Sequence, residues 1–158
     1  MKKIVSLLII LGFVSISMAQ EPVGDGVDYG DSTSVTLQVK AWDALGAGKY
    51  ADAVKYTEKC SELYGDEAKK MQASLKAKPS TDVVHDYWAL NDVGTCYFIR
   101  GGALMKLNKN AEALAAYKVV VDNLYYAQAW DPKGWFWAPA DAAKQKIEML
   151  KYKKDSDF

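Results

Sequence analysis

Leu37-Gln38-Val39-Lys40-Ala41-Trp42-Asp43-Ala44, followed by Gly48-Lys49-Tyr50-Ala51-Asp52-Ala53-Val54-Lys55-Tyr56, has a counterpart later in the chain. That counterpart is Tyr97-Phe98-Ile99-Arg100-Gly101-Gly102-Ala103-Leu104, followed by Asn108-Lys109-Asn110-Ala111-Glu112-Ala113-Leu114-Ala115-Ala116-Tyr117. In each, a residue with almost no side chain (Ala41, Gly101) stands 12 positions before an alanine (Ala53, Ala113), across a turn rich in Gly, Asn and Lys. Apolar residues recurring every three to four positions predict helices on both sides of each turn. Small residues at matched positions let the two helices of a pair approach closely. The sequence therefore predicts an all-α chain containing two helical hairpins.

The remaining elements follow from punctuation. Ser32 or Thr33 caps a first helix running to about Leu45, with Gly46 and Gly48 ending it. A second helix is expected from Tyr50 to Tyr64, interrupted at Gly65, and a separate polar surface helix over 66–78. Pro79-Ser80-Thr81-Asp82 breaks the chain before a helix from Val83 to Met105, with a jog near Asn91 or Gly94. Asn108 ends that helix, Asn110 caps the next, to about Leu124, and Pro139 opens a last helix reaching about Tyr152. The two hairpins are offset by 60 residues, from Ala53 to Ala113.

Residues 33–64 and 95–124 resemble the tetratricopeptide (TPR) repeat, a helix–turn–helix unit of 34 residues that stacks into solenoids, with a degenerate half-repeat near 139–152. Tyr97, Gly101, Ala113 and Tyr117 keep the pattern of the second unit; Ala41, Gly48 and Ala53 keep that of the first. Arg100 stands where Leu is usual, Thr57 where Phe is usual, and neither unit has the closing Pro. The resemblance is to exported bacterial TPR-like proteins. It implies a TPR-like α-α superhelix of two hairpins with an inserted helix and a C-terminal capping helix. Such units bind proteins and seldom do chemistry, and their concave face is lined by first-helix residues. By repeat position these are Gln38, Trp42 and Leu45, then Thr95, Phe98, Gly102 and Met105. A groove bearing Trp42, Phe98 and Met105 suits a peptide with apolar anchors, unless another helix covers it and makes these residues core.

Composition narrows the class further. The 158 residues carry 20 Lys plus Arg and 20 Asp plus Glu, a formal net charge of zero that does not suit a nucleic-acid partner. Residues 1–19 read as a signal peptide: Lys2 and Lys3, then an apolar run from Ile4 to Ile16, then Ser17-Met18-Ala19 with cleavage expected after Ala19. The run is shorter than a membrane span, and no stable membrane insertion is expected after cleavage. Residues 20–32 read as a flexible N-terminal segment, 33–152 as the helical domain and 153–158 as a tail. Export to a periplasm or the exterior makes a disulfide between Cys60 and Cys96 a candidate, against the alternative of two buried thiols.

The segment Tyr125 to Trp137 holds three of the five Trp, with a turn signature in Asp131-Pro132-Lys133-Gly134. Trp130, Trp135 and Trp137 serve either as an aromatic platform for a glycan, peptide or small molecule, or as a clasp packing the last helix. Chemistry finds little support. His85 is the only His, Cys60 and Cys96 sit in no nucleophile motif, and no cofactor or metal signature is present. Asp82, Asp86 and Asp92 near Tyr87-Trp88 outline a glycosidase-like carboxylate set, or simply solubilise a helix. The expectation is a non-enzymatic, exported module binding a protein or peptide of the cell envelope, with small-molecule or glycan binding through Trp130–Trp137 as the alternative.

Overall fold

The computed structural model describes residues 26–156, so the expected signal peptide lies outside the described residues. The fold is all-α with one small β-hairpin: α1 Ser34–Gly46, α2 Tyr50–Ser74, α3 Trp88–Lys106, α4 Asn110–Asn123, β1 Ala129–Asp131, β2 Trp135–Trp137 and α5 Pro139–Ser156. Among the described residues no helix is long and apolar enough to cross a membrane.

Helix α1 begins where the hydroxyl of Thr33 accepts from the Thr36 N–H, satisfying a donor that the first turn leaves free. Leu37, Ala41 and Ala44 form its buried stripe, and Gly48 turns the chain with φ of 74°. The described end of the N-terminal segment is anchored to this pair. Tyr29 meets Tyr56 edge to face, Lys40 pairs with Asp28 at 3.1 Å, and the Tyr64 hydroxyl donates to the Ser32 carbonyl.

Helix α2 corrects the expected break. It runs unbroken through Gly65 for 25 residues, so the inserted surface helix is its second half. The buried stripe Ala53, Thr57, Cys60, Ala68, Gln72 continues past the glycine, and packing along α3 offsets the ~1 kcal/mol that a mid-helix Gly costs. The expected jog in α3 is also absent. A short 3-10 helix, Val84–Tyr87, precedes it, and α3 runs straight through Asn91 and Gly94. Gly94 is there for contact: a Cβ would stand 2.5 Å from that of Ala127. Asn108 ends α3 with φ of 60°, as expected, but the residue capping α4 is Lys109, without a side-chain bond. Helix α5 continues to Ser156, beyond the expected boundary at Tyr152.

The hairpins α1/α2 and α3/α4 pack through their small residues: Ala41, Ala53 and Ala113 are fully buried and Gly101 is buried with them. Helix α3 is the hub, packing on α1, α2, α4 and α5. A Cβ on Gly101 would come within 2.5 Å of the Tyr117 ring, so only hydrogen fits beneath that ring. The departures at Arg100 and Thr57 are one interaction. Arg100 Nε donates to Thr57 Oγ1 at 3.1 Å, Nη2 donates to the Thr57 carbonyl and to Ser61 Oγ, and the guanidinium lies over the Tyr97 ring. Cys60 on α2 and Cys96 on α3 are buried free thiols in one core cluster. Burial pushes the Cys96 thiol well above its usual range.

Candidate functional site

The face shared by α1 and α3 is a cleft, walled on its third side by the β-hairpin. From α1 come Val35, Gln38, Val39 and Trp42, at helical spacing on its outer face. From α3 come Trp88, Asn91, Asp92 and Thr95, again one face of a helix. His85 enters from the 3-10 helix, while Trp130, Asp131, Pro132, Phe136 and Trp137 close the cleft from the hairpin. The cavity measures about 840 Å³, within the range of sites that hold a small ligand or a few peptide residues.

A bracket of hydrogen bonds fixes the hairpin. Asn91 Nδ2 donates to the Val84 carbonyl at 2.7 Å, and Asn91 Oδ1 accepts the Gln128 N–H at 2.8 Å. Gln128 Nε2 in turn donates to the Pro79 carbonyl at 2.8 Å, and Gln72 Oε1 accepts the Tyr126 N–H at 2.9 Å. The strands pair Ala129 with Trp137 and Asp131 with Trp135, and Gly134 (φ 106°) closes the turn by bonding back to the Asp131 carbonyl. Alternation along the strands then sorts the rings. Trp137 reaches Phe98 at 5.2 Å between centroids, and Phe136 sits between Trp130 and His85.

These bonds also decide what the cleft offers a ligand. Asn91 and Gln128 are spent on internal contacts, and the Thr95 hydroxyl donates to the Asn91 carbonyl. Asp131 Oδ1 accepts the Lys133 N–H. What faces the opening is mainly aromatic surface, with Trp42, Trp88 and Trp130 at 37, 43 and 57% exposure. Beside it lies Asp92, half-buried, whose Oδ2 accepts from Ser34 Oγ at 2.6 Å. Burial holds the Asp92 carboxyl above its usual range, an effect the Ser34 hydroxyl opposes.

Part of each set of residues anticipated separately, a groove and an aromatic segment, meets in one cleft. Gln38, Trp42, Trp130 and Trp137 line it. Phe98 is half-buried behind it, packed among Trp42, Tyr117 and Trp137. Leu45 and Met105 fall outside: Leu45 packs on Ala44, Ala53 and Ala103, and Met105 accepts the Tyr117 hydroxyl on its sulfur. Trp135 does not line the cleft; it lies under Lys133 and borders a neighbouring pocket with Trp130 and Phe136. Sequence reasoning set Trp88 and Asp92 in a glycosidase-like outline or on a solubilised helix face and did not join them to the groove, while Asp82 and Asp86 are exposed. The signal was present: positions 88, 92 and 95 share the face of α3 that looks toward Ser34 and Gln38 of α1. Among the described residues no cluster of His, Cys, Asp or Glu is arranged to hold a metal. Comparison with family models, curated proteins and solved structures returns no match for this chain.

Proposed function

We propose that this protein is an exported, TPR-like binding module that holds a peptide segment of an envelope protein in the cleft between α1, α3 and the β-hairpin. The observation that carries this reading is the cleft itself, a mainly aromatic trough in which Asn91 and Gln128 bond within the fold and Gln38 is the one other side-chain amide. A sugar asks its site for several free donors and acceptors, whereas a peptide side chain asks for apolar area and a few anchoring groups. The leader at 1–19 supports export, and the matched hairpins support a binding scaffold. Glycan or small-molecule binding stays as a second reading because Trp130 and Trp135 are about half exposed on the hairpin.

The test is capture from an envelope extract by immobilised protein, run beside Trp42→Ala and Trp130→Ala. A specific partner should be retained by the wild type and lost from both variants, with their helical circular dichroism unchanged. Retention by both variants would exclude the cleft. Absence of any captured protein, with indole fluorescence quenched by glycans, would select the second reading.

A further inference from the structure

Asp92 is the odd residue in an otherwise aromatic trough. Its carboxylate is half-buried, its Oδ2 is held by Ser34, and no cation pairs with it among the described residues. Neither Lys nor Arg lines the cleft, and the second carboxylate there, Asp131, adds charge of the same sign. The hairpin's own cation, Lys133, leans over Trp135, 5.9 Å from the ring centroid, and does not line the cleft. The Lys–carboxylate pairs three residues apart along α2, α4 and α5 lie on the outer surface, whereas Asp92 is half-buried. A carboxylate withdrawn from water without a cation is costly. Indole faces carry negative charge and attract cations, most strongly where water is displaced. Charge, ring faces and missing counter-ion converge on one kind of guest.

Taking the peptide reading above as its basis, we propose that the cleft recognises a Lys or Arg side chain of the partner segment, its cationic head on Asp92 and its methylene stem against Trp42, Trp88 and Trp130. The long apolar stem of either residue covers aromatic surface while the head finds the carboxylate. Asp92 is then the residue that sets specificity, and the rings set affinity. Ser34 positions the carboxylate by holding Oδ2.

The test uses the purified protein and a phage-displayed library of random heptapeptides, selected in parallel on wild type and Asp92→Asn. Wild type should enrich peptides with Lys or Arg at one fixed position, and the variant should lose that preference. In the best such peptide, replacing Lys with uncharged norleucine should weaken binding roughly tenfold to a hundredfold on wild type, as expected for a hydrogen bond to a charged group, and hardly at all on Asp92→Asn. Enrichment of neutral apolar peptides would overturn the cation assignment and leave the peptide cleft standing. Enrichment of nothing above background would overturn both. The melting temperature of Asp92→Asn, equal to or above that of wild type, guards against a merely unfolded variant.

Discussion

The two helical hairpins share a backbone plan and differ in what fills it. In the second, Tyr117 lies buried across Gly101, an aromatic ring set on a bare stretch of helix. In the first, the matching position is Thr57, far too small to cover its neighbours, and the space is taken from outside by Arg100 of α3. One hairpin is closed by its own side chain and the other by its neighbour's. The lesson is that a residue too small for its site need not loosen a hairpin when a side chain of the neighbouring hairpin takes up the space.

Three perturbations sharpen that contrast. Tyr117→Ala should cost the most, about 3–5 kcal/mol by chemical denaturation, because it empties a fully enclosed aromatic site. Gly101→Ala should be damaging in the wild type and much milder in Tyr117→Ala, since the ring it strikes is gone; equal costs in both backgrounds would break the account. Arg100→Met comes next, at about 1–3 kcal/mol, because the Thr57 hydroxyl and carbonyl and the Ser61 hydroxyl lose a charged donor in a part-buried setting. Adding Thr57→Val should return little of that loss, because the Thr57 hydroxyl keeps its own bond to the Val54 carbonyl at 2.7 Å.

The smallest effect has the opposite sign and lies in the cleft. Asp92 holds its proton more tightly folded than unfolded, so its contribution to stability is present in acid and is lost as pH rises above its usual value of 3.8. Asp92→Asn should therefore leave the protein equally stable or slightly more stable at neutral pH, with the gap narrowing on acidification. His85 and Asp131, which line the same cleft, are to be kept intact in that comparison. Urea melts of both proteins across acid to neutral pH check it, and a less stable variant at neutral pH would contradict the assignment.

Much of the architecture was legible because it depends on neighbours in sequence. Turn residues such as Gly48 and Asn108 take left-handed backbone, Thr33 caps α1, and the alanines mark helix crossings. What stayed hidden depends on distant partners. Gly65 reads as a breaker, yet α3 packs along α2 and keeps it helical. Gly94 reads as a jog until Ala127 is seen against it. The Asp131–Gly134 turn was readable, whereas strands of three residues each give too short an alternation to register. Asp92 looked like any helix-surface acid because the ring wall opposite it comes from residues some forty positions away.

Because α3 touches every other helix, this chain is not built to unzip from its ends as a string of nearest-neighbour units does. Its cleft is drawn from α1, α3 and the hairpin together and vanishes with the same cooperative melting step. Whatever settles there raises the temperature of that single transition in proportion to its concentration and tightness, which turns a plain thermal-shift plate into a direct search for the guest.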